Sequence, residues 1–438
     1  MVTGSSYLLT EASTKVLLDL GMFQGGEKES RLNYEELAFD PASLSGVVLT
    51  HAHLDHCGRL PILMHGGFSK SIFMTEATER LLEITLMDSA HLAKESQHVP
   101  LYDEEDVIKL LSLARVVDYE ERFTIDGLEF KFLDAGHILG SASVEVSWQK
   151  PVGTSRRMVF SGDLGNSPQD LIKPTVVPKE ADVVVMESTY GDKIHPEENV
   201  ETLLTEEIKR IEEEGGTLLI PAFSLERSQE LLHRLDHLKK SKKMKDLTPV
   251  YLDSPMAIRA TEVFETSKEL FNEELSNHSK VDNPFQFPGL IRVEKGWQSK
   301  KIKDQVGAKV IIAGAGMMTG GRIVFHAIDF LGDEKNSIMF VGFQGEGTLG
   351  RRIQEGEKRV NIEGKTVEIR ARVREIRAMS AHADQHGLIS WISKIDKVKK
   401  VFLTHGEELP RLSLSRKIID EVGISEVILP KMRQEVEV

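Results

Sequence analysis

The chain has 438 residues, 40% hydrophobic and 28% charged, with 55 basic against 69 acidic side chains for a net charge of −14. That balance is ordinary for a globular protein, and it excludes collagen-like and disordered classes and any chain that coats nucleic acid by bulk charge. The length allows about three domains or one large interrupted one, and one cysteine, Cys57, excludes an intramolecular disulfide and fits a reducing, cytoplasmic setting.

The start of the chain lacks the basic flank and apolar stretch of a signal peptide, and no window holds about 18 uninterrupted apolar residues, so no membrane association is expected. Short apolar runs ended by Gly, Asp or His then recur as predicted strands: Val16 to Leu20, Val47 to Thr50, Phe130 to Ala135, Met158 to Asp163 and Val183 to Glu187. Two helices are expected between them, from Glu76 to Lys94 and from Glu104 to Ala114, on apolar spacing of three and four. From about Asn199 the pattern alternates helix and buried strand: helix 200–214, strand Thr217–Ala222, helix 226–239, strand Val250–Asp253, helix 256–274, strand Val310–Ala313, helix 321–331 and strand Ile338–Val341. Such alternation builds parallel βαβ units and predicts a Rossmann-like sheet. Strand-rich character returns with Val367 to Ile376 and Val401 to Thr404, and the expected linkers are 192–198 and 283–288.

The densest chemistry is Thr50-His51-Ala52-His53-Leu54-Asp55-His56, directly after an apolar strand. Three imidazoles and a carboxylate at one strand end cannot all be buried without a cation to offset their desolvation. Alternation sends His51 and His53 to one side while the turn carries Asp55 and His56 to a neighbouring position, which favours two metal ions over one. His137, Asp163 and His405 end other apolar strands and complete the ligand count, with Asp163 able to bridge. Asp19 reads as a carboxylate that orients a ligand. Other histidines, including His65, His91, His98, His233, His237 and His326, sit in or beside helical patterns, where packing or surface roles are expected.

The set His51-x-His53-x-Asp55-His56, His137 and Ser161-Gly162-Asp163 resembles the metallo-β-lactamase superfamily. Glu187 in Met186-Glu187-Ser188-Thr189-Tyr190-Gly191, His382 in Ser380-Ala381-His382-Ala383-Asp384 and His405 in Leu403-Thr404-His405-Gly406-Glu407 resemble the three further motifs of the β-CASP RNA nucleases. Ala222 to Arg227, Asp253 to Ala257 and Gly314 to Met318 are similar to other segments of that family, most of all to its short prokaryotic members, relatives of the cleavage and polyadenylation nuclease subunit. One departure is at the start: Thr3-Gly4-Ser5 begins almost at once, where family members usually carry a preceding strand.

The resemblance implies a four-layer αββα sandwich, residues 1–190 and 369–438, interrupted at 191–368 by a Rossmann-like β-CASP domain that lids the active-site cleft. It implies two zinc ions, one on His51, His53 and His137 and one on Asp55, His56 and His405, bridged by Asp163. The expected reaction is hydrolysis of RNA phosphodiesters, as an endonuclease with 5′-to-3′ exonuclease action left open, giving 5′-phosphate and 3′-hydroxyl ends. Asp163 is then catalytic, and His382, oriented by Glu187, is the proton donor to the leaving oxygen; its alternative is a structural histidine beside Ser380 and Asp384. Glycine-rich turns at 314–321 and 342–350 offer backbone amides to phosphates, and Arg227, Arg322, Arg351 and Ser380 are the expected RNA contacts. The expected partners are single-stranded RNA and a second copy of the chain. A DNA-directed member of the family is one alternative, although those relatives typically lack a histidine at the position of His405. A scaffold subunit of an RNA-processing complex is another, although such paralogues usually lose metal ligands.

Overall fold

The computed structural model describes residues 2–95, 99–149, 155–166 and 170–438, which leaves His98 outside the described residues. The chain forms two compact units, Met1–Ile194 with His382–Val438, and His195–Ala381.

The first unit holds two sheets. One has five strands in the order Tyr7–Glu11, Thr14–Leu18, Gly46–Val48, Ile72–Met74 and Ala114–Val116, parallel after its first antiparallel pair. The other has seven, in the order Glu426–Ile428, Lys400–Leu403, Val183–Met186, Ser155–Phe160, Ala142–Gln149, Leu128–Asp134 and Arg122–Ile125. Its first four strands run parallel, and the rest form an antiparallel meander.

Strand alternation explains the layering. Val16, Leu18 and Val48 of the first sheet share one core with Phe130, Phe132, Val144, Phe160, Val183 and Val185 of the second. The intervening residues Val184, Met186, Val401 and Leu403 point the other way, onto Leu388, Trp391 and Ile392 of helix Gln385–Ile392. Strands covered on both faces have no polar side to show, hence the unbroken run Val183-Val184-Val185-Met186. The opposite face of the first sheet, with Leu17, Val47 and Leu49 fully buried, belongs to the side of helices Glu76–Glu95 and Glu104–Leu111, which pack on each other. This is the αββα sandwich of a metallo-β-lactamase domain.

The second unit is a doubly wound, wholly parallel sheet of six strands: Leu290–Arg292, Val250–Leu252, Lys309–Ala313, Thr217–Pro221, Ser337–Phe340 and Arg372–Glu375. Leu219, Ile311, Ile338 and Phe340 pack toward helix Arg322–Phe330, while the alternate residues Leu218, Ile220, Val310 and Ile312 are as deeply buried on the other face.

Three elements differ from the sequence reading. The helix expected to reach Ala114 stops at Leu111, because Ala114–Val116 pairs with Ile72–Met74 as the sheet edge. The single helix expected over 256–274 is broken: Pro255–Thr266 ends at Ser267, whose φ of −110° and ψ of 46° leave the helical region, and Asn272 caps a new helix, Glu273–Ser279, by accepting from the Leu275 amide. The strand expected over 367–376 is split between a hairpin, Arg359–Ile362 with Lys365–Glu368, and Arg372–Glu375, which joins the inserted sheet beside Ser337–Phe340. As compact units, the second runs from His195 to Ala381 and the first resumes at His382. Among the described residues no helix is long and apolar enough to cross a membrane.

Candidate metal centre

Seven donors converge where strands of both sheets of the first unit end. His53 precedes a one-turn helix, Leu54–Cys57, that carries Asp55 and His56 round a corner from His51. That turn is stitched to the segment after the second strand, where the Leu20 and Met22 amides donate to the His56 and Leu54 carbonyls. Glycine precedes two of the other donors for a steric reason. Gly162, at φ +56°, would place a Cβ 2.8 Å from the Ala142 carbonyl oxygen, and Gly136, at φ +61°, would place one 2.7 Å from the Thr175 amide nitrogen.

The donors form two groups about one carboxylate. His51, His53, His137 and Asp163 offer ligand atoms within 4.8 Å of one another, as do Asp55, His56 and His405. Oδ2 of Asp163 lies 3.6 Å from Nε2 of both His51 and His137. Its Oδ1 lies 3.2 Å from His56 Nε2 and 3.6 Å from His405 Nδ1. His405 Nε2 in turn lies 3.3 Å from Asp55 Oδ2.

Three of these rings have a further partner. His56 Nδ1 is 2.8 Å from Asp19 Oδ2, and Asp19 also accepts from the amide and hydroxyl of Thr50. His51 Nδ1 contacts the Thr50 hydroxyl at 3.0 Å, and His405 Nδ1 contacts that of Thr189 at 2.9 Å. Asp19, expected as an orienting carboxylate, contacts His56 and Thr50; the hydroxyls of Thr50 and Thr189 were not expected beside the rings, although both residues lie inside the motifs that carry the histidines. Tyr7, whose hydroxyl donates to Thr404 Oγ1, was missed as well, because nothing in an N-terminal strand marks a tyrosine as lying under the centre.

Burial pushes the His51 imidazole well below its ordinary range and brings His53 down to about 4, leaving neutral rings with lone pairs to donate. For His56, burial acts in the same direction but the Asp163 and Asp19 carboxylates outweigh it and hold the ring well above that range. Burial would raise Asp163, but His405 and His56 hold it well below the carboxylate range. Among the described residues, His53 Nε2, His56 Nε2 and Asp163 Oδ1 are buried without a hydrogen-bond partner. Orphaned polar atoms of this kind are costly unless a cation satisfies them, and N/O donors in such a set suit zinc-type ions. The residues present therefore fit bound metal.

Glu187 and His382 adjoin the centre. His382 Nδ1 is 3.1 Å from Glu187 Oε1 and 3.9 Å from Asp163 Oδ2. Glu187 is buried and also accepts from the Leu164 and Thr189 amides. Burial would lower His382, but the charge and hydrogen bond of Glu187, with Asp163 and Asp55 behind it, bring it up to about 9.

The expected RNA contacts fare differently. Arg227 is interior, its guanidinium on Glu230 and on the Met379 carbonyl. Arg322 is committed to Asp253 at 2.6 Å and to the Val293 and Glu294 carbonyls. Arg227 is buried and Arg322 half-buried, and each neutralises a buried carboxylate, which sequence proximity to a glycine turn does not disclose. Arg351 is partly exposed beside Glu355. Ser380 is buried, and its hydroxyl makes no hydrogen bond among the described residues.

Residues 2–175 match the metallo-β-lactamase superfamily, 228–353 the Beta-Casp domain and 366–430 the Zn-dependent metallo-hydrolase RNA specificity domain. The chain is 39% identical over 424 residues to Ribonuclease TTHA0252 of Thermus thermophilus, covering 95% of this chain and 93% of that protein. It is 32% identical over 409 residues to the RNase J-like protein of Methanocaldococcus jannaschii, covering 92% and 90%. A crystal structure of a protein of unknown function from Enterococcus faecalis shares the fold at 13% identity, with a TM-score of 0.53 over 98% of this chain and 95% of that one. The chain belongs to the metallo-β-lactamase family of β-CASP nucleases.

Proposed function

We propose that the protein is a two-zinc ribonuclease that hydrolyses single-stranded RNA as an endonuclease, with 5′-to-3′ exonuclease action left open, leaving 5′-phosphate and 3′-hydroxyl ends. The observation that carries this reading is the divided Asp163 carboxylate, one oxygen toward His51 and His137 and the other toward His56 and His405. Its relatives carry ribonuclease names, and its family match includes an RNA specificity domain.

In this reading His51, His53, His137 and Asp163 hold one ion, and Asp55, His56, His405 and Asp163 the other. Bound ions supply Lewis acidity toward a phosphoryl oxygen and acidify water. Asp19, Thr50 and Thr189 each contact one ring nitrogen, of His56, His51 and His405 respectively, and so orient those rings. Glu187 holds His382 by Nδ1 and keeps the ring protonated at neutral pH, which leaves Nε2–H to protonate the departing 3′ oxygen. Ser380, two residues before His382 with an unpartnered buried hydroxyl, is retained as a phosphate contact, and Arg351 as a surface one. The buried Cys57 fits a reducing, cytoplasmic compartment, and a second copy of the chain is the expected protein partner.

The test combines metal analysis with labelled single-stranded RNA, duplex RNA and DNA, comparing wild type with Asp163→Ala. The expected result is a loss of metal and of RNA cleavage in the variant. Unchanged cleavage by Asp163→Ala would overturn the two-metal reading, and wild-type preference for DNA would overturn the substrate.

A further inference from the structure

Helix Arg227–Lys240 of the second unit carries His233 and His237, one turn apart on the same face, the first buried and the second exposed. His278, on the separate helix Glu273–Ser279, turns its Nδ1 toward both. Nε2 of His233 lies 3.2 Å from that atom and Nε2 of His237 lies 3.3 Å from it. All three donor nitrogens fall within 4.8 Å of one another.

Packing or surface roles, expected for His233 and His237, do not account for this convergence. Two imidazole nitrogens thus approach the same atom, His278 Nδ1, at nearly equal distance, a geometry that a shared cation would satisfy at all three rings. A tetrahedral zinc-type ion with M–N of 2.0–2.1 Å separates its ligand nitrogens by about 3.4 Å, close to both distances.

A second observation concerns the far side of His278. Its Nε2 lies 2.8 Å from Asp282 Oδ1 and 3.3 Å from Asp236 Oδ2. A carboxylate on the far nitrogen is the usual partner of a metal-bound imidazole, since it fixes the proton there and frees the near lone pair. The two aspartates and His278 form another acidic group, but that place already has a cation. Lys240 Nζ lies 2.8 Å from Asp236 Oδ2 and from Asp282 Oδ2, and 2.7 Å from His278 Nε2. Lys240 can only donate to Nε2, which places the ring proton on Nδ1 as the structure stands; ligation of Nδ1 requires that proton to leave and Lys240 to turn wholly to the aspartates, so that Nε2–H faces Asp282 Oδ1.

We propose that His233, His237 and His278 form a second divalent transition-metal site, of zinc type, separate from the centre in the first unit. The ion clamps helix Arg227–Lys240 to helix Glu273–Ser279 across 45 residues of sequence, with a fourth position left for water or another donor. Its expected effect is to stabilise the inserted unit, because an ion that binds only the folded chain raises the melting temperature.

Wild type, His237→Ala and His278→Gln are loaded with excess zinc, desalted and counted for metal, with circular dichroism to establish folding. His237 is exposed, so its alanine variant is expected to fold. Wild type should hold one zinc more per chain than either variant, whatever number the first-unit centre holds, since that centre is identical in all three. Added zinc should also raise the Tm of the wild type beyond that of the variants. Cobalt loading should show a four-coordinate visible band in the wild type that is diminished in both. Equal zinc counts in the wild type and a folded variant would overturn the site. A nuclease defect alone would not, because the count is a difference between chains with the same first-unit ligands.

Discussion

At the scale of single residues the most informative group is His382, which lies outside the sets around His51 and Asp55 but has a ring nitrogen within 4.8 Å of ligand atoms of Asp163 and His405. Its Nδ1 is taken by Glu187, so removing the ring removes a proton donor while leaving the ligands intact. His382→Ala is expected to keep near-normal metal content and RNA affinity while its cleavage rate falls by about 10²–10⁴-fold. The defect should shrink on a nitrophenyl phosphodiester, whose leaving group needs no proton; equal losses on both substrates would count against the acid role. The pH profile follows from the raised value of about 9. The active form is the protonated ring, so activity is retained below that value and lost as pH rises through it. Cations on Asp55 and Asp163 withdraw part of the attraction, which moves the descending limb below 9 but leaves its sign unchanged. His382→Ala should lack that limb.

At the scale of elements, helix Arg227–Lys240 shows that a basic residue beside a turn can be buried. Arg227 and Glu230 are one turn apart, both buried, and Arg234 reaches Glu230 from the other side. Removing one partner leaves buried charge, so Arg227→Ala is expected to cost about 2–4 kcal/mol of stability, somewhat less than the loss of a sole partner because Arg234 remains. Its RNA affinity, measured on the folded protein, should stay near that of the wild type. A denaturant midpoint equal to that of the wild type would show that the pair contributes nothing. The same helix then supplies His233 and His237, and the break at Ser267 that begins helix Glu273–Ser279 at Asn272 is what turns His278 toward them. Apolar spacing across 256–274 favours one continuous helix; the interruption comes from a capping side chain and from the need to pack two short helices.

At the scale of the whole molecule, a net charge of −14 requires that contacts to RNA be local. Binding of single-stranded RNA should weaken linearly in log–log form with salt, and Arg351→Ala should reduce the slope by about one charge. A salt slope identical to that of the wild type would remove Arg351 from the RNA surface. The sequence by itself determined the candidate metal donors, because the strand-end motifs from His51 to His56, at His137, Asp163 and His405 concentrate chemistry that no apolar core tolerates without a cation. It determined the parallel βαβ character of the insertion too, since strands buried on both faces must be apolar throughout. Only the tertiary structure decided which oxygen of Asp163 faces which histidine, that Thr50 and Thr189 hold the rings of His51 and His405, and that Arg227 and Arg322 are spent on Glu230 and Asp253. Those outcomes depend on contacts between residues far apart in the chain. Periodicity reports which face of an element is buried, and it carries no information about the partner that face meets.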